Sequence, residues 1–222
     1  MSALQLVQPD LTGGESQSDH AYRDIRALIV TLELAPGSLL SEPDLQQRLG
    51  LGRTPIREAL RTLAHERLVD VYPRRGMFVA ALDPRDLAAL SEVREQLEPY
   101  AARLAAQRRT VEDLEVIDDL LAAIDTNAHD PDMRILIELD QRIHHHVYRC
   151  AHNDFLQGVC IEHYMHALRI WFLALDRVSH LGDAVAEHRD LLVAIREGDA
   201  DRAAQVMSSH VTGFEAEVRR AI

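Results

Sequence analysis

Asp140 and His144 stand four residues apart on a stripe whose other members, Leu136, Ile137, Ile143 and Val147, are apolar. Residues at i and i+4 are neighbours on one helix face, so this carboxylate and imidazole can reach a single ion. His188 shares a helical face with Val185, Leu191, Leu192 and Ile195, and His210 shares one with Ala203, Val206, Met207 and Phe214. Three histidines and one carboxylate are therefore expected to project from three helices into an apolar core. Burying an unpartnered Asp is costly, so each polar group there needs a partner. A hydrogen-bonded core histidine is the plain reading of any one of these positions. A divalent metal ion would partner all four groups at once. The set suits Zn, is compatible with Ni or Mn, and leaves coordination positions open.

A second set of residues carries different chemistry. Arg53, Arg57 and Arg61 recur every four residues and share one stripe, while Ile56, Leu60 and Leu63 form an apolar stripe behind it. A helix with guanidinium groups on its exposed edge suits the DNA major groove, because Arg reads guanine bidentately and also holds phosphates. Upstream, Leu45, Leu49 and Leu51 keep a helical rhythm that breaks at Leu49-Gly50-Leu51-Gly52. The break predicts a short helix turning into a second one, opened by Thr54 as cap and Pro55 in the first turn. Downstream, residues 68–72 and 77–79 read as two strands, and Pro73-Arg74-Arg75-Gly76 as the basic tip of a wing between them. Arg53, Thr54, Arg57, Arg61, Arg74, Arg75 and Gly76 are the candidate contacts to double-stranded DNA.

The elements that must position these groups divide at Asp83-Pro84. Residues 1–19 read as a disordered tail, 20–82 as a winged helix-turn-helix, and 83–222 as an effector-binding and dimerisation domain. The last contains only helical patterns, roughly 84–108, 111–127, 131–151, 154–178, 183–197 and 199–220. The fold class is mainly α, the winged helix being followed by an all-α antiparallel helical bundle.

Charge agrees with this division. The chain has a net charge of −12 and all its basic residues are Arg. Residues 20–82 hold nine Arg against seven acids, whereas residues 83–222 hold 15 Arg against 26 acids. Phosphate attracts the first segment and repels the second. No apolar stretch reaches membrane-spanning length, and no signal peptide pattern opens the chain, so a cytoplasmic protein without a membrane partner is expected. Cys150 and Cys160 are too few for a disulfide framework and read as buried free thiols.

The run from Ala35-Pro36-Gly37 through Gly50, Arg53-Thr54-Pro55-Ile56-Arg57-Glu58-Ala59-Leu60 and Arg75-Gly76 resembles the DNA-binding domain of the GntR family of bacterial transcription regulators. Two positions depart from the family pattern: Gly52 stands where Ser is common, and Pro43 where many members have Arg. The operator sequence therefore does not carry over. Six helices after a winged helix resemble the shorter helical effector domain of the FadR branch. The local matches are Glu92-Val93-Arg94-Glu95-Gln96-Leu97-Glu98, Asp140-Gln141-Arg142-Ile143-His144, Asn153-Asp154-Phe155-Leu156, Glu187-His188 and His210. The resemblance implies that Asp140, His144, His188 and His210 hold the ion and that Arg94 faces it.

Arg94 stands on the stripe Leu90, Val93, Leu97 and Ala101, and a guanidinium on an apolar face needs an anion. Either an internal carboxylate or a small carboxylate effector supplies it. His163 and Trp171, on the helix starting at 154, are further candidate effector contacts. His145 and His146 rotate off the face of His144, toward solvent or the margin of the site. His20, His65, His129, His152 and His180 read as loop or surface residues.

The expected function is a homodimeric, ligand-responsive DNA-binding regulator, a repressor reading a short palindrome. One alternative is a metal sensor in which the ion itself is the signal. A second is a metal-dependent hydrolase fused to a DNA-binding head, which would need a general base that the sequence does not offer, and a third is a purely structural ion.

Overall fold

Helix α1 (Gln17–Val30) begins at a capping box. The Ser16 hydroxyl accepts from the Asp19 N–H at 3.1 Å, and the Asp19 carboxylate accepts from the Ser16 N–H at 3.0 Å. These two bonds satisfy two donors that a helix start leaves open. The expected tail boundary after residue 19 therefore falls inside a helix. The computed structural model describes residues 16–83, 85–127, 133–174 and 181–221, so the rest of that tail, His129 and His180 lie outside the described residues.

The chain divides into two units. The first holds the described residues up to Asp83 together with Leu168–Leu173. In it, α2 (Glu42–Leu49) starts at a Ser41 cap and ends at Gly50, whose φ of 67° is the left-handed conformation glycine adopts at little cost. Helix α3 (Arg53–His65) follows with Gly52 as its N-cap and no side-chain capping bond. Thr54 is thus inside the first turn, not the cap that spacing suggests. Pro55 is buried in that turn, where a missing N–H costs little.

Strands β2 (Val69–Tyr72) and β3 (Gly76–Val79) form the expected hairpin, with Tyr72 opposite Gly76. Arg74 and Gly76 take positive φ in the turn between them. A strand that sequence reading missed, β1 (Leu39–Leu40), pairs with the other edge of β3. At two residues it is too short to show a period of its own. Ile25 and Ile29 of α1 pack with Ile56, Leu60 and Leu63 of α3 and with Leu68 and Val79, all essentially without solvent contact. In the segment 168–173, buried Arg169 donates to the Ala80 carbonyl at 2.7 Å. Burial pulls its pKa down to about 10, against the opposing pull of Asp70.

The second unit is helical. It comprises α4 (Asp86–Arg108), α5 (Val111–Asn127), α6 (Met133–Cys150), the larger part of α7 (Asp154–Ala174), α8 (Leu181–Glu197) and α9 (Ala200–Ala221). Helix α4 packs along α9 and also meets α6 and α8, while α5 lies against α6 and α8. Where the described residues allow comparison, expected helix ends hold or move by one or two residues; residues 84, 131–132 and 175–178 of the expected helices lie outside the described residues. Pro99 lies inside α4, one residue past Glu98, and removes one N–H from the helix ladder.

Candidate metal centre and DNA-binding face

Arg53, Arg57 and Arg61 are exposed along α3, and Arg74, Arg75 and Gly76 are exposed at the wing. Behind the arginines, Pro55, Ile56, Ala59, Leu60 and Leu63 are buried, so the split into a charged edge and an apolar back is realised. Glu42, at the start of α2, was not anticipated as part of this face. It accepts from Arg57 Nε at 2.8 and 3.0 Å and from Arg53 Nε at 3.2 Å. The Arg57 hydrogen bond, aided by Arg53, lowers the Glu42 pKa despite partial desolvation.

In the helical unit, Asp140, His144, His188 and His210 are all buried, and one ligand atom from each lies within 4.8 Å of every other. The His144 Nε2 lies 3.1 Å from His188 Nε2 and 3.2 Å from His210 Nε2. Asp140 Oδ1 is 3.8 Å from His144 Nε2 and 3.6 Å from His188 Nε2. Three helices supply these groups, α6 with two, α8 and α9 with one each.

Around this cluster a ring of polar groups sets orientation. The Tyr164 hydroxyl donates to Asp140 Oδ2 at 2.5 Å, and its ring stacks on His144 with centroids 4.7 Å apart. His144 Nδ1 lies 3.0 Å from the Tyr148 hydroxyl and 3.5 Å from Glu98 Oε2. An Nδ1–H directed at these oxygens leaves the Nε2 lone pair for the centre, the usual way an outer carboxylate fixes a metal-binding imidazole. Burial raises the pKa of both tyrosines well above normal, so both hydroxyls keep their protons. Three imidazole nitrogens and a carboxylate oxygen converging in a buried core form a donor set that fits a divalent ion.

Arg94 is buried beside this ring and forms an ion pair with Glu98, one turn along α4. Its guanidinium also lies 5.4 Å from the Phe214 ring centre and 6.0 Å from that of Tyr164. Burial alone would raise the Glu98 carboxyl. The Arg94 charge, with His144 adding to it, outweighs burial and holds that carboxyl well below the usual range. Of the two anions considered for Arg94, the internal carboxylate is therefore present.

The other expected residues are more scattered. His163 is half-buried and its Nδ1–H donates to the Val159 carbonyl at 2.8 Å, one turn back on the same helix. Trp171 is buried in the segment that groups with the first unit, whereas Asp140, His144, His188 and His210 belong to the second. His145 and His146 are buried, which removes the solvent-facing one of their two expected placements. His146 packs instead against Asp113 and Cys150. His152 is half-exposed but pairs with Asp113 at 2.8 Å. Glu98 and Tyr148 were missed, although each lies four residues from a singled-out residue, Arg94 and His144. Tyr164 carried no such local signal.

Residues 17–79 match the bacterial regulatory proteins of the gntR family, and residues 89–213 match the FCD domain. The galactonate operon transcriptional repressor of Escherichia coli K12 is 33% identical over 214 residues, covering 86% of this chain and 91% of its own. An uncharacterized HTH-type transcriptional regulator in an unstable DNA locus of Streptomyces ambofaciens is 31% identical over 210 residues, covering 94% of this chain and 88% of its own. Among solved structures, E. coli McbR/YncC shares the fold, with a TM-score of 0.82 at 21% identity over 93% of this chain and 98% of that one. These families and relatives are transcription regulators and not enzymes. No helix of the described residues is long and apolar enough to cross a membrane. Matched in both of its segments, the chain belongs to the GntR family of bacterial regulatory proteins, as a transcription regulator with a DNA-binding winged helix and an FCD domain.

Proposed function

We propose that this regulator is a repressor whose helical unit holds a divalent ion and answers to a small carboxylate. The convergence of Asp140, His144, His188 and His210 in a buried core carries the reading. These four residues would hold the ion, with Zn the best fit to the donors and Ni or Mn compatible. The bound ion would supply a Lewis-acidic centre for one carboxylate oxygen.

Arg94 supports the same reading. Its Nε is given to Glu98, and a guanidinium has further N–H donors for an anion. The effector would act by binding one arrangement of the regulator better than another. Arg53, Thr54, Arg57 and Arg61 of α3 would read bases and phosphates, and Arg74, Arg75 and Gly76 would meet the backbone. A short palindrome requires a homodimer. On the helical unit, Val93 and Tyr100 of α4 and Phe155 and Val159 of α7 are exposed apolar side chains suited to such an interface.

The test is a thermal-shift screen of the metal-loaded protein against small carboxylates, followed by operator release. A true effector at about 100 times its Kd should stabilise by about 2.7 kcal/mol through mass action. The double variant Arg94→Met/Glu98→Gln, which leaves no buried charge unpaired, should keep the ion and DNA binding but lose that response, and a double variant that responds normally would reduce Arg94 to a structural partner of Glu98. If metal alone releases operator and no carboxylate does, the ion is itself the signal.

A further inference from the structure

Helix α6 carries two pairs of ligand-type residues at i,i+4 spacing, Asp140 with His144 and His146 with Cys150. The second pair falls on a different face of the helix. It meets Asp113 of α5, and ligand atoms of Asp113, His146 and Cys150 all lie within 4.8 Å of one another. The Cys150 Sγ is 3.2 Å from His146 Nε2, which is 3.0 Å from the Asp113 carbonyl oxygen. All three residues are buried. His152, with 43% of its side chain exposed, touches Asp113 Oδ2 at 2.8 Å.

We infer that Asp113, His146 and Cys150 form a second, thiolate-containing metal site, separate from the cluster around His144. Sulfur, imidazole nitrogen and one carboxylate oxygen select a borderline ion such as Zn, and sulfur disfavours Mg or Ca. Three protein ligands leave a fourth tetrahedral position for water or for the His152 imidazole. Such an ion would clip the start of α5 to the end of α6, as a staple within the effector unit.

Every group facing this cluster has a part in loading. Without an ion, burial and the adjacent Asp113 carboxylate keep the Cys150 thiol protonated. Binding breaks the S–H bond as the sulfur–metal bond forms, and the proton leaves to solvent. The Asp113 carboxylate also accepts from the Thr110 N–H at 2.9 Å, so it is already oriented by the helix start. Arg149, half-buried, places Nη2 at 3.0 Å from His146 Nδ1 and supplies the one like charge beside an incoming cation among the described contacts. Loading therefore requires His146 to carry its proton on Nδ1 and the Arg149 side chain to turn outward.

The inference does not depend on the ion at His144, and one experiment separates them. Full-length protein is stripped with chelator and reloaded with cobalt(II). Bound metal is counted by elemental analysis, and near-ultraviolet absorption reports sulfur-to-cobalt charge transfer. The expected result is two equivalents per chain with the charge-transfer band. Cys150→Ser and His146→Gln should each lose the band and one equivalent, the second variant guarding against a folding defect in the first. Cys160→Ser should keep both, and His144→Ala should lose one equivalent and keep the band. His152→Ala should weaken this site about 10–100-fold, as loss of a ligand-orienting partner does. Absence of the band in folded wild-type protein, or its survival in Cys150→Ser, overturns the proposal. A band present with no equivalent lost in His144→Ala would instead overturn the ion assigned under the proposed function.

Discussion

The DNA-binding unit and the helical unit use the same pairing, arginine with glutamate, under opposite conditions. On the head, Glu42 gathers Arg53 and Arg57 where the arginines are about half exposed or more. In the helical unit, Glu98 holds Arg94 with both side chains almost entirely out of water. Exposed pairs are worth little, because water screens them and competes for both partners. Such arginines can exchange a carboxylate for a phosphate or a guanine at small cost. A buried pair is committed, since removing one member strands the other charge. The exposed face of α3 is thus built from exchangeable contacts, and the core of the helical unit from fixed ones.

The largest test of this contrast is metal removal. His144→Ala or His210→Ala should lose the central ion almost completely by elemental analysis, and retention of that ion in both variants would show that the cluster is only hydrogen-bonded. Metal affinity at this centre should weaken in acid, because a ligating imidazole must be neutral.

Next in size is a matched pair of substitutions. Glu98→Gln should destabilise by about 3–5 kcal/mol in chemical denaturation, because it leaves the Arg94 charge buried without its anion. Glu42→Gln should change stability by less than about 1 kcal/mol. Equal effects would erase the distinction between the two units.

Arg57→Ala should cost about 1–3 kcal/mol of specific operator binding per half-site without loss of fold. Arg75→Ala should instead lower general affinity and its dependence on salt. Operator affinity unchanged in Arg57→Ala would remove α3 from the groove.

The smallest effect is the pH dependence of the buried pair. Glu98 has a folded pKa depressed below the unfolded value of about 4.3. Its contribution is fully present above that unfolded value and is lost as pH falls toward the folded one. The stability gap between wild type and Glu98→Gln should therefore be flat from neutral pH to about 4.3 and shrink below it. A gap that widens with acid would mean that the carboxyl is protonated in the native state.

Much of this was legible along the chain because it is local. The Arg stripe of α3, the pair Asp140 and His144, and the turn at Gly50 follow from spacings of a few residues. Contacts that close over long separations were not legible. Tyr164 reaches Asp140 from another helix, and Asp113 reaches His146 across more than thirty residues, with no period linking them.

Sequence alone determined the succession of helices past Pro84, the positive head and negative helical segment, and which side chains lie on which helix face, because each depends on composition or on neighbours within about one turn. Only the tertiary structure decided the partners. It paired Arg94 with Glu98, buried His145 and His146, brought His144, His188 and His210 to one point, and placed Trp171 with the first unit. Which faces meet is set by packing between helices, and burial then makes each resulting charge pairing obligatory.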